Sequence, residues 1–165
     1  MVARIYGRIS VVAEFQFRIL TDDKGVSDEE MVYQGLATVE TAIAINVMHL
    51  QRHPEDICAL ACGKIKYDTK NKDVLLMIAE ISTLPVLIKK GKGLCIDIVA
   101  ADVAAKRYEG YSAWPYIYSK GGGIFHVVTH MRDSLGNVIE FDPSTELEQR
   151  GWVVSYQPNS CRICQ

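Results

Sequence analysis

No stretch of this chain approaches the roughly 18 uninterrupted apolar residues that a membrane-spanning helix needs. It has no basic excess either. Lys and Arg total 18 against 20 Asp and Glu, a net charge of −2, so no positive field draws in nucleic acid. No Lys/Arg block is present to hold an anionic membrane. The segment Met1–Arg8 carries positive charge, but Glu14, Gln16 and Arg18 interrupt the apolar run that a secretory signal would require. Five cysteines make an odd count. A disulfide framework would leave one over, which fits a reducing compartment and a cytoplasmic setting better than a secreted scaffold. What is there is ordinary for a globular chain: 48% hydrophobic and 23% charged over 165 residues. That excludes a disordered or low-complexity protein and points to one domain spanning 1–165, with 158–165 as a tail.

The first twenty residues alternate, with Ile5, Gly7, Ile9, Val11, Ala13, Phe15, Phe17 and Ile19 on one face, which predicts a long strand. Asp22–Gly25 reads as a turn. Ser27 with Glu30 is a capping box, and Leu36, Val39, Ile43, Val47 and Leu50 form a helical stripe that predicts a helix from Asp28 to about Gln51. Asp56–Tyr67 fits a short helix or a strand. Asp73–Leu84 reads as a helix stopped before Pro85. Cys95–Lys106, rich in Ala and Val, reads as a buried helix. Strands are expected over Ser112–Tyr118, Ile124–Arg132, Val138–Phe141 and Trp152–Gln157. Helices come mainly first and strands mainly last, so the fold class is α+β with an antiparallel sheet.

Cys95 sits where thiol chemistry would want it. It follows a Gly-Lys-Gly-Leu loop and opens a helix, whose unpaired N–H groups and dipole favour a thiolate. A nucleophilic thiol needs a base, and the base needs an orienting group. The strand Ile124–Arg132 supplies His126 and His130 on one face, and the next strand is followed by Asp142. A hairpin centred near Ser134 puts His126 opposite Asp142 or within about two residues of it. The same register places His130 near Ile139 and Asn137, farther from that carboxylate, and predicts no carboxylate partner for it from that strand. The hairpin therefore selects His126 as the oriented imidazole.

Three segments carry a family resemblance. Thr83-Leu84-Pro85 followed by Gly91-Lys92-Gly93-Leu94-Cys95-Ile96-Asp97 resembles the nucleophile segment of transglutaminase-like cysteine proteins. Phe125-His126-Val127-Val128 resembles the family's histidine strand, and Phe141-Asp142-Pro143-Ser144 its Asp-Pro-Ser/Thr ending. They stand in the family's order, and the resemblance covers about residues 83–144. It implies a papain-like core, a nucleophile helix packed on an antiparallel sheet, with Cys95 as nucleophile, His126 as base and Asp142 as orienter. It implies a peptide or protein substrate carrying an amide, and no cofactor. No Gln or Trp ahead of Cys95 completes an oxyanion hole. The family also contains proteins without activity, so a catalytically silent domain with a structural or assembly role, virion-associated if of phage origin, stands as the alternative.

Other residues have plainer readings. Cys95 could be a small buried hydrophobe, His126 a core histidine and Asp142 a turn former. His49, His53, Cys58 and Cys62, with Cys161 and Cys164 in the tail, offer zinc-type ligands, though their spacing matches no standard finger. The third hypothesis is accordingly a metal-stabilised binding module; otherwise Cys58 is only packing. Asp97 suits the helix dipole, Asp102 a buried hydrogen bond, and Trp114 and Tyr116 either a substrate cleft or the core.

Overall fold

The computed structural model describes residues 16–18, 27–71, 80–121, 124–153 and 161. Its strands are β1 (Gln16–Arg18), β2 (Lys66–Tyr67), β3 (Glu80–Ser82), β4 (Lys92–Gly93), β5 (Ala113–Gly121), β6 (Ile124–Arg132) and β7 (Val138–Phe141). Its helices are α1 (Asp28–Leu50), α2 (Leu84–Lys90), α3 (Cys95–Tyr108) and α4 (Pro143–Arg150), with 3-10 turns at Pro54–Cys58 and Thr69–Asn71. The class is α+β. The main sheet is antiparallel in the order β5-β6-β7. The two small pairs differ: β1 and β3 run antiparallel, whereas β2 and β4 run parallel.

The centre of the fold is α3. Every residue from Cys95 to Lys106 is buried. Its small Ala and Val side chains let α1 approach one side and β5 and β6 another. The stripe on α1 behaves as its spacing predicts: Val39, Ile43 and Leu50 are wholly buried, and Leu36 and Val47 pack at the margin. Arg107, near the end of α3, fixes the three layers. Its guanidinium donates to both carboxylate oxygens of Glu40 on α1, at 2.7 and 2.9 Å, and its Nε donates to the Ala113 carbonyl on β5.

One charged cluster lies inside this core. Lys106 is fully buried, and its ammonium donates to Asp102 Oδ1 at 2.5 Å. Asp102 Oδ2 accepts from the Thr129 hydroxyl at 2.6 Å, so the cluster bolts α3 to β6. Lys106 Nζ also stands 5.0 Å from the Phe141 ring on β7. The buried hydrogen bond expected of Asp102 is thus present.

Several expectations need correction. Within Asp73–Leu84, residues 80–82 form β3 rather than helix, because they pair with β1 in the register Gln16↔Ser82. Pro85 opens α2 instead of stopping a helix; in the first turn its missing N–H costs nothing. Asp142 and Pro143 start α4, a helix the sequence reading passed over. The stretch 152–153 is not strand. Most of the N-terminal strand, the Asp22–Gly25 turn, the rest of Asp73–Leu84, Gly122, Gly123 and most of Trp152–Gln157 lie outside the described residues.

The cysteines also need correction. Cys58 and Cys161 form a disulfide across 103 residues of sequence, and Cys62 is likewise disulfide-bonded. Cys58 is therefore not packing alone. In the chain-entropy account a closure this long restricts the unfolded chain by about 4 to 5 kcal/mol. Among the described residues Cys95 is the only free cysteine, so the odd count does not mark thiols that are all kept reduced.

The buried cluster makes a stability prediction. Asp102→Ala leaves a fully buried ammonium without its carboxylate and should cost about 3 to 5 kcal/mol in urea unfolding. The double change Asp102→Leu with Lys106→Met should recover most of that loss. A single-mutant cost below about 1 kcal/mol would show that the cluster does not hold α3 to the sheet.

Candidate active site

The thiol is presented by a tight approach to α3. Gly91 ends α2 in the left-handed region, φ +68°, where a glycine carries no Cβ penalty. At Gly93 a Cβ would meet Leu87 Cδ1 at 2.3 Å and Asp97 Cβ at 3.0 Å, so a larger residue there would displace the Leu87 side chain and crowd Asp97. Leu94 is then the N-cap and Cys95 the first residue of α3. Asp97, buried in the first turn, clamps the entry. Its Oδ2 accepts from the Leu94 N–H at 2.9 Å and its Oδ1 from the Ser82 N–H on β3 at 2.6 Å. Burial pushes the Asp97 carboxyl up to about 6, against those two N–H groups and Lys90, which pull it down. The dipole reading of Asp97 was thus too small. The residue joins β3, the loop and α3.

His126 lies near the start of β6, and Asp142 follows β7. The pairing runs Thr129↔Phe141 to Arg132↔Val138, which extrapolates to Asp142 two residues from the position opposite His126. That is within the range the hairpin arithmetic allowed. The His126 Nε2–H donates to Asp142 Oδ2 at 2.8 Å. The Cys95 side chain also lies near enough to act on the imidazole, which it helps to raise after Asp142. Since Nε2 serves Asp142, Nδ1 is the nitrogen left for the thiol. The structure therefore pairs His126 with Asp142 at 2.8 Å, and Cys95 is near enough to influence the imidazole.

Asp142 is more heavily used than the sequence suggested. As N-cap of α4 it accepts the Thr145 N–H at 3.1 Å and the Ser144 hydroxyl at 2.7 Å on Oδ1. Its Oδ2 accepts the Thr145 hydroxyl at 2.8 Å besides His126. Burial raises this carboxyl, but hydrogen bonds from His126, Ser144 and Thr145 outweigh it and hold the group well below the ordinary range. His126 moves the other way. Its hydrogen bond to Asp142 first, and the nearby Cys95 next, raise it to about 9 against the opposing effect of burial. Ser144 and Thr145 were missed as site residues. The signal was present in Asp-Pro-Ser-Thr-Glu ahead of Gly151: a cap, a first-turn proline and a glycine stop.

His130 corrects one expectation. It does have a carboxylate from β7, because Glu140 pairs with it directly and Glu140 Oε2 accepts from its Nε2 at 2.9 Å. The zinc reading is also overturned. Cys58 is in a disulfide, His49 Nε2 donates to Asp56 at 2.7 Å, and among the described residues no group of three His, Cys, Asp or Glu forms a metal cage. Tyr118, opposite His126 on β5, meets it edge to face at 5.6 Å between ring centroids. Burial first, then the neighbouring Asp142, Glu140 and Cys95, push its phenol up.

Chemically, this is an imidazole held charged between a carboxylate and a thiol at a helix start. Such an imidazole can stand beside a sulfur anion and give its proton to a leaving group. Compared with family models, curated proteins and solved structures, the chain finds no match.

The electrostatics predict a titration. The His126 imidazole should have an NMR midpoint near 9, and Asp142→Asn should return it toward 6.5. Because the folded value lies above 6.5, this contribution to stability is complete below about pH 6.5 and lost as pH rises through about 9. Asp142 contributes above its ordinary range near 3.8, and that part is lost in stronger acid. The melting temperature of the wild type should therefore fall between pH 6.5 and 9, and that of Asp142→Asn less so. Equal slopes in the two proteins would show that the pair does not govern the titration.

Proposed function

We propose that the protein is a transglutaminase-like thiol enzyme acting on amide bonds through Cys95, His126 and Asp142. The observation that carries this reading is the His126 imidazole held by Asp142 at 2.8 Å, with Cys95 the next group that raises it. In the proposed reaction the reactive form pairs a Cys95 thiolate with the protonated His126 imidazole, and the sulfur attacks the amide carbonyl. The first-turn N–H of Cys95, which no helical carbonyl can accept, suits the developing oxyanion. Collapse breaks the C–N bond, His126 gives its proton to the departing amine, and a thioester remains. Water then regenerates the thiol in a protease or amidase, and an amine does so in a cross-linker. Hydrolysis is the simpler outcome, since no residue here marks a place for an acceptor amine. The papain-like arrangement, a thiol helix against a sheet that carries His and Asp, belongs to the same proposal.

A catalytically silent domain is the second reading, and one observation favours it: Cys95 is only 6% exposed. The Cys58–Cys161 disulfide bears on setting. Such bonds persist in oxidising surroundings and on virion surfaces, so the particle-associated setting fits better than the cytoplasm.

The test combines alkylation with turnover. Iodoacetamide should modify Cys95 and spare the oxidised Cys58 and Cys161. His126→Ala should slow that modification by about tenfold or more. With a glutamine-containing peptide, intact-mass measurement should reveal an acyl adduct on Cys95, absent from Cys95→Ala. An unreactive Cys95 and no amine release from any amide tried would put the silent domain in front.

A further inference from the structure

A row of aromatic rings leads away from the thiol. Trp114, Tyr116 and Tyr118 alternate along β5 and share one face of the sheet. Tyr118 meets His126 of the candidate site. Tyr116 stacks on His130 with 4.5 Å between centroids and a 7° interplanar angle. Trp114 meets the same imidazole edge to face at 5.9 Å, and the Arg132 guanidinium lies 5.5 Å from the Trp114 ring centre. Yet the row is not core. Tyr116 is 46% and Tyr118 37% exposed. Rings locked by one another but open to solvent present a rigid apolar surface whose ordering cost is already met before a ligand arrives. Exposed patches of this kind mark binding surfaces.

We infer that this row is the docking track for the polypeptide that carries the attacked amide, held extended with apolar side chains at alternate positions. The inference deepens the amide-acting reading and rests on it. Two observations choose the occupant. The track is continuous with the candidate site through the Tyr118–His126 contact. Its spacing also matches: Tyr116 and Tyr118 are 6.3 Å apart, and every second side chain of an extended peptide recurs at about 6.6 to 6.8 Å. Nucleic acid suits the track poorly. Glu140 offsets His130, and the whole chain carries −2.

The test uses two fluorescent nonapeptides of one composition. In the first, Phe-Gly-Phe-Gly-Gln-Gly-Phe-Gly-Phe, the rings alternate. In the second, Gly-Gly-Phe-Phe-Gln-Phe-Phe-Gly-Gly, they cluster. Binding to the full chain bearing Cys95→Ala is read by anisotropy. The alternating peptide should bind about tenfold more tightly than the clustered one. In the same background Tyr116→Ala should abolish that preference, and Tyr116→Phe should keep it. Equal binding of the two peptides overturns the inference without any further variant. So does displacement by a chitin oligosaccharide at similar concentration, which would assign the rings to a glycan. The amide-acting reading is judged separately on the wild type. If the alternating peptide binds but forms no acyl adduct, the track stands and the thiol chemistry falls. If both peptides react with equal kcat/KM, the chemistry stands and the track falls.

Discussion

The site depends on the carboxylate of Asp142, which accepts hydrogen bonds from His126, Ser144 and Thr145 at once. A carboxylate with both oxygens satisfied stays ionised despite burial, because each donor favours the charged form. That charge keeps the neighbouring imidazole protonated well above its ordinary range. The same atoms cap α4, so the helix that follows the sheet and the orientation of His126 have a common cause. Removing the charge therefore acts on a helix start and on the candidate base together. Replacing Ser144 would touch the carboxylate without touching the imidazole.

Placement of the thiol has a different origin. Cys95, Asp102 and Lys106 are seven and eleven residues apart, so they return to nearly one face of α3. Asp102 is bolted to Thr129 on β6, while Asp97 ties the first turn to β3. The helix is thus fixed near its start and at its middle, which leaves little freedom in where Cys95 lies. Gly93 completes this by leaving the space that Leu87 of α2 and Asp97 of α3 fill.

Much of this was legible in the sequence, for identifiable reasons. Period and composition placed α1 and α3 because both have long, strongly patterned runs. A short hairpin with a polar turn fixed the β6–β7 boundaries and gave the His126–Asp142 proximity within two residues. Failure came where local signals compete. Pro85 is read as a stop when a strand is not suspected before it, yet a proline starts a helix as readily as it ends one. The β1–β3 pairing joins residues more than sixty apart, and no local pattern announces a partner that distant. The Cys58–Cys161 bond is invisible for the same reason, and odd counting concealed it by treating the fifth thiol as a remainder rather than as a residue with its own task. The Lys106 ammonium was missed because lysine is read as surface. Its place, four residues after Asp102, was the available clue.

Two histidine–carboxylate pairs stand on one strand, and their difference explains why residue type alone is insufficient. His130 with Glu140 and His126 with Asp142 have nearly the same distance, 2.9 and 2.8 Å. Glu140 is exposed and accepts from His130 in surroundings open to water, where such a pair is worth little. Asp142 is partly covered and already fixed by the start of α4, so its hold on His126 is less diluted by solvent. His130 also spends its ring face on Tyr116, whereas His126 is raised further by the nearby Cys95. The chemistry therefore separates on the third partner. An imidazole between a carboxylate and an aromatic ring is a structural element of the surface, and one between a carboxylate and a sulfur has a proton to exchange.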